Sequence, residues 1–316
     1  MLRVLSPLGK LRPPPVGSLA MAGLAGLAAL GTLTLLSTLW PRYDRSEEPR
    51  SEITAASLAD KPRRAVTVLV IGTDADRLDA TTNSAAPPGP ANSDALLLLR
   101  INPKGPLQVL NLPPELAVML PGQSKPQRLG DLFERGGVAL TADAVRELVG
   151  LETSKPDRYL VLPRGALRKL VDSLGGLELD PPRTMRYQDK AQKYKIDLQS
   201  GLQRLDGSQV EQMLRFRDKW LGEAGRRANH QLVETALRQQ LGRPEQLGRL
   251  SELLRDLETK VETNLSEAET LSLLAAGLDD KRPVQFSSLP LAPEKKEHGG
   301  LRQLDSTVSG PLWKAP

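Results

Sequence analysis

The longest apolar stretch in the chain comes first. Residues 16–40, VGSLAMAGLAGLAALGTLTLLSTLW, carry no charge, and the uncharged interval runs from Arg12 to Arg42. A helix rises about 1.5 Å per residue, so roughly 20 such residues cross a hydrocarbon core of about 30 Å. Arg3, Lys10 and Arg12 precede the stretch without an acid, whereas the trailing flank mixes arginines with Asp44, Glu47 and Glu48. The positive-inside bias therefore predicts a cytoplasmic tail over 1–12, a transmembrane anchor over 13–41 and everything later outside. Signal peptides have shorter apolar cores and a small-residue cleavage site. Leu39, Trp40 and Pro41 offer no such site. The expectation is a single-pass protein of the cell (inner) membrane with an extracytoplasmic soluble part.

Beyond a polar linker over 42–64 the periodicity changes. The β-branched run 66–71, ending at Gly72, predicts a buried strand, and the runs 95–101 and 107–112 predict two more, each stopped by proline. Residues 75–93, rich in Thr, Asn, Ser, Pro and Gly, predict a long surface loop. Helical spacing follows at 129–134, 142–149 and 166–174, with short strands at 159–162 and 177–179. The polar stretch 183–200 reads as turns. Ser208 and Glu211 fit a capping box that starts a helix running to about Leu214. Longer helices are predicted over 224–241 and 244–259, a shorter one over 266–276, and an edge strand over 284–290. Strands alternating with helices predict a three-layer α/β/α sandwich around a mixed sheet, preceded by the one transmembrane helix. The globular α/β domain is expected over 65–242, with 243–316 a helical C-terminal extension and tail.

Charge and composition narrow the function. Three of the five formal net positive charges belong to the first fifty residues. The remainder has neither a strong basic face nor many aromatics, which argues against a nucleic-acid partner. The chain has no cysteine, which excludes thiolate zinc sites and cysteine nucleophiles, and its two histidines, His230 and His298, give a catalytic triad thin support. No phosphate-binding glycine loop of the common types occurs.

What remains is carboxylates and arginines at element ends. Asp74 follows the first strand and Asp94 opens the second. If those strands pair antiparallel, the two carboxylates meet across the loop, as Mg²⁺ with substrate phosphate requires. The competing reading makes both of them turn and cap residues. Arg215 and Arg217 share a face if the chain is extended after Leu214. Glu223, Arg226 and His230 form one stripe on the next helix. Converging guanidiniums match a pyrophosphate; a solvated, salt-bridged helix face is the alternative.

The order of these pieces resembles the LytR-CpsA-Psr family of cell-envelope proteins. The resemblance rests on Gly72 and Asp74, Ser93 and Asp94, the Ile-Asn-Pro at 101–103, and Leu112 with Pro113. It continues through the Leu-Pro-Gly turn at 120–122, the LVDSLGG run at 170–176, the Leu-Asp-Gly at 205–207, Arg215 and Arg217, and Gly225 with Arg226. It implies a phosphotransferase that moves a glycopolymer from a polyprenyl-pyrophosphate carrier to peptidoglycan or a related envelope acceptor. It also implies an apolar tunnel for the polyprenyl tail and Mg²⁺ on the pyrophosphate. By position, Asp74 and Asp94 are then the metal-associated aspartates, and Arg215, Arg217, Arg226 and His230 the pyrophosphate-binding group. Glu115 and Glu223 become candidates for orienting or deprotonating the acceptor hydroxyl. Three family arginines are replaced, by Asn92, by Pro114 and within the pair Asn229 and His230. Each lost phosphate contact is worth about 1.5–3 kcal/mol. A catalytically degenerate relative that binds polyprenyl phosphate as a scaffold or sensor is therefore the second reading. An envelope-related transcriptional attenuator is the third, and the missing basic face counts against it.

Overall fold

Alternation along the strands divides the molecule into layers. In β1 (Val66–Thr73) Leu69 and Ile71 are fully buried on one face, while Val70 and Gly72 look onto the other, where an apolar cavity lies. The next strand, β2 (Ser93–Ile101), repeats this with Leu96 and Leu98 on the first face and Leu97 and Leu99 on the second. A period of two sorts side chains to opposite faces. Both faces are apolar, so both must be covered.

The computed structural model describes residues 53–316 except 81–82, 87–88, 153, 294–299, 308–311 and 314–316. The predicted cytoplasmic tail and anchor lie outside the described residues. Among the described residues no helix is long and apolar enough to cross a membrane.

After β2 come β3 (Leu107–Asn111), the small hairpin β4 (Ala117–Val118) with β5 (Gln127–Arg128), and helix α1 (Leu132–Val149). The two helical stretches expected here are one helix broken at Gly136 and Gly137, the latter with φ of 61°. Then follow β6 (Arg158–Pro163), α2 (Arg164–Ser173) and β7 (Leu177–Leu179). The turn-rich reading of 183–200 is corrected by an antiparallel hairpin, β8 (Met185–Asp189) and β9 (Tyr194–Leu198). Met185, Ile196 and Leu198 are buried, but exposed charged residues between them hide the alternation. Next are β10 (Gln203–Leu205), α3 (Gly207–Arg215) and α4 (Gly222–Leu241). The capping box of α3 lies two residues earlier than expected: Asp206 accepts from the Gln209 N–H, and Gln209 accepts from the Asp206 N–H. The helix expected over 244–259 is split at Gly248 into α5 (Pro244–Leu247) and α6 (Leu250–Glu258). The chain ends with β11 (Glu262–Thr263), α7 (Glu267–Gly277) and β12 (Val284–Ser288).

Six strands form one mixed sheet in the order β11-β6-β1-β2-β3-β12. Strand β1 pairs antiparallel with β2 and parallel with β6, and β12 runs parallel to β3. Residues 243–316, read from the sequence as a helical extension, supply α6, α7 and both edge strands. On the first face, α1 and the late residues Leu289 and Trp313 close a core with Leu69, Leu96 and Leu110. On the second, α4, α6 and α7 stand off the sheet. Leu99, Val109, Leu160, Val233, Leu253 and Leu274 are among the residues enclosing a cavity of about 1240 Å³ between them. A separate core under α2, α3 and the β8–β9 hairpin holds the rest of the domain to α4 and α6.

Two glycines set the close approaches that build one end of this cavity. A Cβ on Gly165 would stand 2.2 Å from the Asp76 carbonyl oxygen, and one on Gly207 would stand 2.4 Å from that of Arg168. Any larger residue would push α2 away from the loop after β1, or α3 away from α2.

Candidate active site

The register brings the ends of three strands together. Thr73 of β1 lies opposite Pro163 of the parallel β6 and opposite Ser93 at the start of β2. Asp74, Arg164 and Asp94 therefore emerge at one edge of the sheet, where open α/β sheets commonly bind ligands. The Asp74 carboxylate is buried and accepts the Asn92 N–H at 2.9 Å. Burial pushes its pKa up, and the nearby charge of Asp94 adds to this; the Asn92 N–H, Arg164 and Arg215 pull the other way. Asp94 is exposed and lines the cavity. The two aspartates are thus close enough to feel each other's charge.

The centre of the site is a residue that the sequence reading assigned to a helix cap. Glu211, on the inner face of α3, is buried and faces three guanidiniums. Arg164 Nη1 donates to its Oε1 at 3.1 Å, Arg215 Nη1 donates to the same oxygen at 3.3 Å, and Arg168 Nη1 donates to Oε2. Arg168 Nη2 also donates to Asp76 Oδ1 at 2.9 Å, and Arg164 Nη2 lies 3.3 Å from the same atom. Burial opposes ionisation of Asp76, but the bonds from Arg168 and Ser84 hold its carboxyl below the usual range. Asp76 and Glu211 thus face three arginines, and Asp74 lies within electrostatic reach of Arg164 and Arg215. Arg164, first residue of α2, is itself buried, lines the cavity, and has a buried Nε without a partner among the described residues.

Arg215 stacks on the Tyr194 ring at 4.0 Å and donates from Nη2 to the Ala85 carbonyl at 2.5 Å. Its fork is therefore engaged by protein groups. The Tyr194 hydroxyl is buried and has no hydrogen-bond partner among the described residues. Burial and the Glu211 charge push its pKa up to about 12, so it remains a proton donor throughout the physiological range. After Arg215 the backbone turns extended at Phe216, as expected, and Arg217 lines the cavity from an exposed position. On α4, Arg226 Nη1 donates to the Asp94 carbonyl at 3.1 Å, and His230 Nε2 lies 3.2 Å from the Leu214 carbonyl oxygen. Both line the cavity. The Glu223 side chain lies outside the described residues.

Beside this mouth is a small polar recess lined by Asp94, Asn111, Glu115, Arg226, Arg227 and His230. Glu115 Oε1 is buried there without a hydrogen-bond partner among the described residues. An orphaned buried acceptor is costly, which makes it a site for a donor to enter.

The sequence of pieces along the chain and this geometry agree with the comparison to known proteins. The sequence model of the LytR_cpsA_psr family matches residues 40–307. The chain belongs to the LytR-CpsA-Psr family. Among relatives, the probable cell wall biosynthesis protein LcpB of Corynebacterium glutamicum is 30% identical over 138 residues, covering 44% of this chain and 31% of the relative. The polyisoprenyl-teichoic acid–peptidoglycan teichoic acid transferase TagU of Enterococcus faecalis is 26% identical over 176 residues, covering 55% of each. The alignments thus span from under a third to about half of these relatives. In structure, the chain resembles TagV of B. subtilis with a TM-score of 0.61 at 18% identity, covering 78% of this chain and 93% of that one. A LytR-Csp2A-Psr enzyme from Actinomyces oris gives a TM-score of 0.60 at 18% identity, with 78% and 92% covered. At such identity the structures establish the shared fold.

Asp76, Arg164, Arg168, Tyr194 and Glu211 were missed by sequence reasoning. One signal was available: Arg164 directly follows β6 as Asp74 follows β1, and parallel neighbours deliver such residues to one edge.

Proposed function

We propose that this chain is an envelope glycopolymer transferase that takes its donor from a polyprenyl-pyrophosphate carrier and attaches it to peptidoglycan or a related acceptor. The observation that carries the reading is a largely apolar cavity of about 1240 Å³ with an ionic mouth. That combination suits a ligand with a hydrocarbon tail and a charged head better than a wholly polar substrate. The tail would lie against Leu97, Leu99, Val109, Leu160, Val233 and Leu253, and the pyrophosphate beside Arg217, Arg226 and His230. TagU of E. faecalis, by its name, transfers a polyisoprenyl-linked teichoic acid to peptidoglycan. The segment 13–41 would hold the domain at the outer face of the cell membrane, where such a carrier presents its glycan.

Mg²⁺ fits the donor set. Among the described residues no group of three or more His, Cys, Asp or Glu side chains could hold a metal. Mg²⁺ commonly relies on one or two carboxylates completed by water and substrate phosphate. Asp74 and Asp94 would hold it, and it would supply charge neutralisation on the pyrophosphate. In the transfer, the acceptor hydroxyl oxygen bonds to the phosphorus that carries the glycan. The bond to the bridging oxygen breaks, and polyprenyl phosphate leaves with that oxygen. The hydroxyl proton passes to a carboxylate, for which Glu115 in the polar recess is placed beside Asp94 and Arg226. Arg217 and Arg226 would stabilise the charge shared between the two phosphates.

A second reading has its own observation. Arg215 is held by Glu211, Ala85 and Tyr194, and Asn92 and Pro114 stand where the family places arginines. A protein that binds the carrier without turning it over would tolerate this. Mass spectrometry of the purified full-length chain tests both readings, with co-purified polyprenyl phosphate or pyrophosphate the expected result. An empty cavity under gentle extraction sinks both; bound carrier with no transfer to peptidoglycan leaves the second.

A further inference from the structure

The rim of the ionic mouth exposes apolar side chains where a water-facing protein has least use for them. Trp220 is 91% exposed and its neighbour Leu221 49% exposed. They sit three and four residues after Arg217, which lines the cavity. Their exposure is built in. Asp218 Oδ1 accepts the N–H groups of Trp220 and Leu221 at 2.7 and 2.9 Å, and the Gly222 N–H closes the turn on the Asp218 carbonyl at 2.8 Å. Asp218 Oδ2 in turn accepts from Arg183 at 2.7 Å, which ties this turn to the base of the β8–β9 hairpin.

The hairpin forms the facing side of the mouth. Tyr187, 53% exposed, lines the cavity together with Asp189, Gln192 and Tyr194. From 183 to 198 it carries Arg183, Arg186, Lys190, Lys193 and Lys195 against Asp189 and Asp197, and the turn adds Arg217 and Lys219 against Asp218, seven cations to three acids. Asp197 pairs with Arg186 and Lys195, which leaves Lys190, Lys193, Arg217 and Lys219 as the excess. An aromatic with an aliphatic neighbour, set among cations, is the composition of an interfacial membrane contact, and tryptophan and tyrosine favour the headgroup layer. Basic residues at that depth are attracted to anionic headgroups. A hydroxylated glycan could stack on Trp220, but it would leave Leu221 in water.

We propose that the rim formed by Arg217–Leu221 and the β8–β9 hairpin docks on a bilayer surface containing anionic lipid. This rests on the lipid-linked substrate proposed above. Docking there sets the cavity mouth on the membrane, so a polyprenyl tail passes from bilayer to protein without crossing water. Arg217 then serves at the mouth, while Trp220, Leu221 and Lys219 hold the mouth down.

The test uses the full chain in nanodiscs of phosphatidylcholine with or without phosphatidylglycerol, with and without brominated acyl chains. The Trp220 signal is the difference between the parent and Trp220→Phe, since Trp40 and Trp313 are common to both. Brominated discs with phosphatidylglycerol are expected to quench that difference by about twofold or more. Lys219→Glu combined with Lys190→Glu should abolish the quenching. A Trp220 signal that bromine leaves untouched in every disc overturns the proposal. So does one that responds only to added soluble peptidoglycan fragments, which would make the rim a glycan platform. Quenching in a protein that holds no polyprenyl carrier keeps the docking surface and rejects the lipid-linked substrate instead.

Discussion

At the scale of single residues, the arginines divide by what they already touch. Arg215 is committed to Glu211, Ala85 and the Tyr194 ring, so its replacement would disturb packing as well as charge. Arg217 is exposed at the mouth, and surface ion pairs are worth only about 0–1 kcal/mol. Arg217→Ala is therefore expected to weaken polyprenyl-pyrophosphate binding at least roughly tenfold, about 1.4 kcal/mol, with the melting temperature nearly unchanged. Lysine should rescue only partly, because it lacks the bidentate fork. Unchanged binding in the alanine variant would return Arg217 to a solvated surface. Glu234 makes a different prediction. It lines the cavity on α4, about 6 Å beyond His230 along the helix axis. Burial alone pushes its pKa up to about 7. The folded state therefore holds a proton that the unfolded chain has lost. The stability linked to it is complete below the unfolded value of about 4.5 and disappears as the pH rises through about 7. Glu234→Gln should accordingly gain on the order of 2 kcal/mol over the parent between pH 5 and pH 8. Denaturant melts across that range would show it, and a constant difference between the two proteins would refute the assignment.

At the scale of elements, most helices and strands were legible because their periodicities are strong. Strands β1, β2, β3 and β6 follow from short apolar runs closed by Gly, Asn or Pro, and the helix expected over 266–276 is α7, with Ser266 as its cap. The β8–β9 hairpin was missed because its exposed face is charged and its buried face small. The α3 cap was misplaced because Ser208 imitates Asp206. What pins β1 against β6 is a side chain that no periodicity marks. Asp157 Oδ2 accepts the Thr67 N–H at 2.7 Å and its hydroxyl at 2.8 Å, and Lys155 Nζ lies 2.7 Å from the carboxylate. Burial opposes the charge, but Lys155, Thr67 and Arg64 hold the carboxyl down at about 2. A depressed pKa stabilises above the unfolded value near 3.9 and is lost as the pH falls toward 2. Asp157→Asn is expected to cost about 2 kcal/mol at neutral pH and to flatten the acid limb of the stability curve over that window. An acid limb identical to the parent's would show that the clamp contributes nothing.

At the scale of the whole molecule, the proposed function depends on a gap. The helices α4, α6 and α7 cover the sheet without filling the space above Leu97, Leu99 and Val109. Interiors are close-packed, so an apolar volume of about 1240 Å³ is unfavourable unless something occupies it. Leu97→Trp should fill part of that space and lower the yield of co-purified polyprenyl carrier in the mass spectrometric experiment, with little loss of fold. Undiminished carrier in that variant would mean that the lipid binds elsewhere.

The sequence by itself determined the α/β class, most of the strands and the order of motifs that marks the family. These depend on local periodicity and on residues fixed at element ends. It also pointed to Asp74 and Asp94, which follow or open a strand, to Arg215 and Arg217 about the end of a helix, and to Arg226 and His230, which share one helical stripe. Only the tertiary structure decided that Glu211 gathers Arg164, Arg168 and Arg215, that Arg215 is already engaged, and that the sheet's second face is left partly unfilled. Those outcomes depend on how closely α2 approaches α3 at Gly207 and how far α4 stands from β2. Such distances are set by packing between segments remote in sequence, and no local pattern encodes them.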